Sequence, residues 1–124
     1  MQQLSFHPTW EKTISEKDRL LVEKLFEQTY DKVDDLIMSP VLRAAINYKK
    51  ELLVTVLVHN YTHHSVTFHN RSIFIHCNNF DEEQVFTIPD FVLAPFTSMP
   101  WTFIFKANPF YEQLDLNQIL LEIE

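Results

Sequence analysis

The stretch APFTSMPWTFIF, residues 94–105, contains seven apolar residues and two prolines but no charge. Because Pro95 and Pro100 cannot donate the hydrogen bonds of a β-ladder, we expect them to bracket a connection made by residues 96–99. After Pro100, aromatic residues occupy every second position, which predicts a strand with its aromatic side chains turned toward the core. These residues are Trp101, Phe103 and Phe105.

The same two-residue period appears in other parts of the chain. Residues 51–59, ELLVTVLVH, form an apolar, β-branched run that is long enough for a central strand with both faces covered. Apolar and polar side chains alternate within residues 66–77, which predicts further strand structure. Additional strands are predicted at residues 42–48, 85–88, 91–93 and 116–123, the last in preference to a short helix. Short strands at this spacing predict an immunoglobulin-like antiparallel β-sandwich.

The N-terminal part of the chain has a different pattern. We expect residues 1–12 to be irregular or extended, with Pro8 keeping the residue before it out of a helix. Ser15, followed three residues later by Asp18, is typical of a helix N-cap. Apolar residues then recur at spacings of three and four, which predicts an amphipathic helix over residues 16–30.

Length and composition fit one globular domain. The chain has 124 residues, of which 46% are hydrophobic and 22% charged, and this size is common for a domain with a single core. We therefore predict one domain over residues 1–124, mainly β with an N-terminal α-helix (α+β). The lead and the helix occupy residues 1–39, and the β-sandwich occupies residues 40–124.

Charge and targeting features limit the partners. The formal net charge is −7, which argues against nucleic acid and against an anionic membrane surface. The longest uncharged apolar run is too short for a helix that spans a bilayer. The N-terminus lacks the features of a signal peptide, and the single cysteine, Cys77, fits a reducing compartment. We therefore expect a cytoplasmic protein with no membrane span.

No pattern in the sequence indicates an enzyme or a cofactor. The chain contains no glycine, so the glycine-dependent phosphate-binding and nucleophile motifs cannot form. Cys77 follows His76 directly, and neighbours on a strand point to opposite faces, so this pair does not predict a nucleophile with its base. We expect the protein not to be an enzyme.

Histidines in residues 59–76 leave one alternative open. Four of them could belong to a small-molecule or metal-ion sensing domain: His63, His64, His69 and His76. A zinc site needs three or four converging ligands, and the spacing contains neither HxH nor HExxH. The competing interpretation is that these histidines lie on a polar sheet surface.

Four residues are candidate contacts with a protein partner: Trp10, Arg43, Tyr61 and Phe96. Trp10 either packs against the sandwich or marks a partner surface. Arg43 either pairs with a carboxylate across the sheet or recognises an acidic group of a partner. These residues predict a protein-interaction module that offers a sheet edge or a helix flank, through strand addition or a hydrophobic patch.

Three segments carry a resemblance to a known family: FHPTWEKTISEKDR (6–19), LRAAINYKKELLVTVLVHN (42–60) and VFTIPDFVLAPFTSMPWTFIF (85–105). Together they resemble the SLAP domain of Bacillus and its relatives, which occurs in tandem in accessory Sec-system S-layer assembly proteins and alone in small proteins. Lys49-Lys50 stands in a turn where that family usually has a glycine. The resemblance implies an intracellular accessory or adaptor protein in secretion or S-layer assembly, without an active-site motif.

Overall fold

The computed structural model describes residues 2–29 and 35–124. Within them, the strands are Gln3–Leu4 (β1), Leu36–Met38 (β2), Arg43–Ile46 (β3), Leu52–Asn60 (β4), Val66–Cys77 (β5), Phe80–Leu93 (β6), Thr97–Phe105 (β7) and Leu120–Ile123 (β8). The α-helices are Pro8–Thr13 (α1) and Glu16–Gln28 (α2), and two short 3-10 helices span Pro109–Gln113 and Leu116–Gln118.

The strands form two sheets. In sheet A, β7 pairs antiparallel with the whole of β4, from Leu52 opposite Phe105 to Asn60 opposite Thr97. β2 and β3 pair in turn with the two halves of the other side of β4, and β1 runs parallel to β7 at its far edge. Sheet B has the order β6-β5-β8, with antiparallel pairs. The predicted mainly β, largely antiparallel fold is confirmed, whereas the immunoglobulin-like arrangement stays a prediction.

The core lies between the inner faces of the two sheets. Val54 on β4, Ile75 on β5 and Phe103 on β7 are each no more than 1% exposed. Phe103 and Phe105 belong to this core, and Trp101 packs against it with its ring 5.1 Å from that of Phe91. The prediction that the aromatic row of β7 faces inward is therefore confirmed.

The prediction that residues 96–99 form a connection is wrong, because β7 begins at Thr97 and continues through Pro100. The carbonyl of Ser98 accepts a hydrogen bond from the N–H of Ser5, at 2.8 Å, on the β1 side. Backbone groups two residues apart point the same way, so the nitrogen of Pro100 also faces that side. The missing N–H of Pro100 therefore costs no hydrogen bond with β4. It costs none with β1 either, because β1 ends at Leu4.

The N-terminal segment contains a helix that was not predicted. Residues 8–13 form α1, which begins at Pro8, a position where a helix needs no N–H donor. The Nδ1 atom of His7 caps this helix by accepting a hydrogen bond from the N–H of Thr9, at 3.2 Å. The predicted N-cap of α2 is confirmed, since Ser15 Oγ accepts from the N–H of Asp18 at 3.1 Å. The helix ends at Gln28, and the end predicted at Tyr30 lies outside the described residues.

Two predicted strands, 85–88 and 91–93, are parts of β6, which is irregular near Asp90, where φ is 62°. The predicted strand at 116–123 divides into a 3-10 turn and β8. In the turn between β3 and β4, Lys50 has a φ of 67°. That left-handed conformation is the one that glycine adopts without strain.

Candidate functional site

A cleft of about 290 Å³ lies between the two α-helices and the outer face of sheet A. Apolar side chains from both helical segments and from the loop before β3 line part of it: Trp10, Ile14, Val22 and Leu42. Threonines from α1, β4 and β7 supply hydroxyl groups: Thr9, Thr13, Thr55 and Thr102. The cleft can therefore accept an apolar side chain and also hydrogen-bond a polar group beside it.

An ion pair lies at the cleft. Arg43 on β3 donates from its guanidinium to Asp18 in the first turn of α2, at 2.8 Å. This hydrogen bond lowers the pKa of the Asp18 carboxyl, assisted by the positive charge of Arg43. The carboxylate that pairs with Arg43 thus lies on a helix and not across the sheet, which was one of the two alternatives that the sequence left open. Because 60% of the Arg43 side chain is exposed, its remaining N–H groups can reach another molecule.

An apolar row continues the cleft along sheet A. Ala45, Leu53 and Ile104 are in register across β3, β4 and β7, on the same outer face as Thr55. α2 contacts β4, and His59 at that end of the strand is 1% exposed. At the other end, Ile104 is 51% exposed. The outer face of sheet A is therefore covered at one end and open at the other.

The structure brings two of the four predicted contact residues together. Trp10 and Arg43 both line the cleft. Tyr61 is only 4% exposed; its hydroxyl donates to the carbonyl of Thr29 at 2.8 Å and its ring stacks on His59. A contact residue needs an exposed ring, so Tyr61 does not fit the role that the sequence predicted.

Phe96 lies apart from the cleft, at the entry to β7. Its φ of 53° is unusual for a bulky residue. Its half-buried ring meets the ring of His63 edge-on, with centroids 4.8 Å apart. Phe96 as a partner contact stays a prediction.

The four histidines of the metal-ion alternative occupy different surroundings. His63 and His64 are exposed in the loop between β4 and β5, and His69 is exposed on β5. His76 lies between two carboxylates, with Nδ1 2.7 Å from Asp81 and Nε2 3.1 Å from Glu122. In residues 2–29 and 35–124, no group of three or more His, Cys, Asp or Glu side chains is arranged to hold a metal ion.

Several residues of the cleft were not predicted from the sequence, among them Ile14, Thr55 and Thr102. Thr55 and Thr102 alternate with buried residues of β4 and β7, and their hydroxyls lie 2.7 Å apart on the outer face. Alternation in the sequence could have predicted that both threonines lie on that face, but not that a helix lies over them. Pro8 was the available signal for α1, because proline is frequent at the first position of helices.

Comparisons with known proteins give one result. Searches of curated proteins and of solved structures find no significant match. Among the described helices, none combines the length and the apolar character that a bilayer crossing requires. A family model described as the SLAP domain matches residues 4–124, which is nearly the whole chain. The chain therefore belongs to the SLAP domain family.

Proposed function

We propose that this protein is a non-enzymatic interaction module that binds another protein at the cleft and the adjoining apolar row. The observation that carries the proposal is the half-covered outer face of sheet A, on which Ile104 is 51% exposed beside Leu53 and the cleft. Exposed apolar side chains that adjoin one another and are rimmed by polar groups often mark protein contact sites.

The mode of binding follows from the composition of the site. An apolar side chain of the partner enters beside Trp10 and Ile14, which are only partly buried, and is removed from water there. The exposed guanidinium of Arg43 then pairs with a carboxylate or carbonyl of the partner, without leaving Asp18. Aromatic and arginine side chains often supply much of the binding energy at protein interfaces.

Family membership supports a narrower role. The SLAP domain suggests a link to Sec-associated or S-layer proteins, and we propose an accessory or adaptor role in secretion or S-layer assembly. In this proposal the protein acts in the cytoplasm, its two sheets form an immunoglobulin-like sandwich, and its partner is a translocase component or a secreted precursor.

Affinity capture from source cells, followed by quantitative mass spectrometry, tests the proposal. The baits are the wild-type chain, Ile104→Asp, Arg43→Glu and a control, Leu120→Asp. Leu120 is a matched control because it is 57% exposed on a strand of the other sheet. Melting curves establish that all four baits are folded.

We expect one protein to be recovered by the wild type and by Leu120→Asp, and to be depleted with both cleft variants. Its identity as a translocase component or secreted precursor would support the narrower role, and any other identity would reject that role alone. Equal recovery with Ile104→Asp and Arg43→Glu, or recovery of background proteins only, would reject the cleft as the binding surface.

A further inference from the structure

A second surface lies on sheet B, where β6 forms an edge. Over residues 2–29 and 35–124, β6 pairs with β5 and with no other strand. Cys77 and Phe80 flank a two-residue turn and are paired, so they exchange their backbone hydrogen bonds with each other. From Phe80 to Phe86 the even-numbered residues therefore bond to β5. The backbone N–H and C=O groups of Asp81, Glu83 and Val85 point away from it.

This edge is held in place from the inner side. Glu82 accepts a hydrogen bond from Asn108 Nδ2 at 2.9 Å and another from the hydroxyl of buried Tyr111. Phe86 packs edge-on against the rings of Phe103 and Phe105. The outward backbone groups therefore belong to a strand that is already extended. Binding of a partner strand does not have to include the entropic cost of ordering β6.

The side chains along the edge specify the charge of a partner. Asp81 and Glu83 are exposed on the outer face of sheet B, and Val85 beside them is 58% exposed. Side chains on directly paired residues of neighbouring strands lie about 5 Å apart, and opposite charges there are favourable. A strand with lysine or arginine at alternate positions would place its cations beside these two carboxylates. The net charge of −7 attracts the same kind of segment.

A second copy of β6 does not fit the edge. Pairing two copies would bring Asp81 and Glu83 of one chain toward the same carboxylates of the other. Like charges directly opposite each other destabilise a strand pair, and exposed charges on edge strands are a known barrier to self-association.

We propose that the edge of β6 accepts a basic, extended segment of another polypeptide, which adds a fourth strand to sheet B. The backbone groups of Asp81, Glu83 and Val85 supply the pairing, and the two carboxylates select lysine or arginine side chains. This surface lies on the other sheet from the cleft, so the inference does not depend on the cleft being a binding site.

An acetylated peptide of alternating lysine and valine serves as the probe, with titration calorimetry as the measurement. Val85→Pro removes one outward N–H and leaves the bonds to β5 intact, because proline is tolerated where the nitrogen of an edge strand faces solvent. We expect this variant to bind the peptide about tenfold more weakly, an effect of the size that one lost pairing bond gives. Ile104→Asp, in the apolar row, should bind as the wild type does.

A charge reversal provides a second variant if Val85→Pro fails to fold. Asp81→Lys combined with Glu83→Lys should lose the lysine peptide and bind a peptide of alternating glutamate and valine. A lysine peptide that is N-methylated at every residue keeps its charge but has no backbone N–H group left to form a ladder, and we expect it not to bind. Equal binding of the methylated peptide would show attraction by charge alone and would overturn the proposal, as would unchanged binding by the folded variants.

Discussion

At the scale of single residues, the hydrogen bonds of buried His59 fix its protonation. Thr29 donates its hydroxyl proton to the carbonyl of Leu25 at 2.7 Å, so its oxygen accepts from His59 Nε2 at 2.9 Å. His59 Nδ1 must then accept from Ser98 Oγ, at 2.6 Å. The Ser98 oxygen in turn accepts from Gln2 Nε2 at 3.0 Å. In this series of hydrogen bonds the imidazole of His59 is neutral. A second ring proton, on Nδ1, would point at the hydroxyl proton of Ser98.

Acid should therefore weaken the folded state through His59. Burial lowers the pKa of His59 from 6.5 to about 4. The stability that depends on the neutral ring is fully present above pH 6.5 and is lost as the pH falls from 6.5 through 4. The loss amounts to at most roughly 3.5 kcal/mol, at about 1.4 kcal/mol per pKa unit.

Urea denaturation at pH 7.5 and pH 4.5 measures most of this loss, because pH 7.5 lies above the range and pH 4.5 lies near its lower end. His59→Gln keeps a polar side chain but does not titrate, so its free energy of unfolding should fall less than that of the wild type. An equal fall in both proteins would show that the carboxylates account for the acid sensitivity.

His76 should act in the opposite direction. The hydrogen bonds to Asp81 and then Glu122 raise its pKa above 6.5. The stability from this imidazolium is fully present below pH 6.5 and is lost as the pH rises through the raised pKa. Because the site is largely exposed, we expect a loss of only about 0.2–1 kcal/mol. In His76→Gln the free energy of unfolding should change less between pH 6 and pH 9 than in the wild type, while His69→Gln should behave as the wild type.

At the scale of elements, alternation in the sequence predicts which side chains of β4, β5 and β7 are buried. This works because successive side chains of a strand point to opposite faces of the sheet, and this alternation does not depend on which strands lie beside it. The role of Pro100 could not be predicted in the same way. Whether a missing N–H breaks a ladder depends on which strand lies beside it, and β1 ends at Leu4, before reaching Pro100.

Two residues of the candidate site, Trp10 and Arg43, were named from the sequence, but their assembly with the rest of the cleft was not predictable. Trp10 and Arg43 stand out by residue type. A large aromatic ring in a lead segment and a charged side chain in an apolar strand are both unusual, and each therefore indicates a specific contact. Their proximity depends on α1 and α2 lying over sheet A, which local periodicity does not specify. Tyr61 shows the converse, since its residue type suggested a contact while its position beneath the end of α2 buries it.

The hairpin between β5 and β6 offers a test of backbone strain. Asn78, the first of its two turn residues, has a φ of 52°, whereas Asn79 is not in the left-handed region. Asn78→Gly should raise the free energy of unfolding by about 0.5 kcal/mol, because glycine adopts this conformation without a steric penalty. Asn79→Gly should lower it, since there glycine adds only chain entropy to the unfolded state. Chemical denaturation of both variants measures the difference, and stabilisation by both would contradict this explanation.

At the scale of the whole molecule, the two outer faces differ in chemistry. Sheet A carries two helices at one end and exposed apolar side chains at the other, with Arg43 paired at the cleft. Sheet B exposes carboxylates, among them Asp81 and Glu122 around His76. The molecule therefore presents two candidate partner surfaces on opposite sides of one core, and the surface on sheet B combines carboxylates with exposed apolar side chains such as Val85 and Leu120.

This arrangement also distinguishes the interaction module from the metal-ion alternative. His76 already lies between two carboxylates, and His63 packs against Phe96, so a metal ion that used either would have to displace existing contacts. An ion that binds only the folded state raises the melting temperature by mass action. We expect Zn²⁺, Ni²⁺, Cu²⁺ and Mn²⁺ each to leave the melting temperature of the wild type unchanged. A rise that disappears when His63→Ala and His64→Ala are combined would instead establish a metal site in the loop after β4, and the sensing function would then replace the proposal made for the cleft.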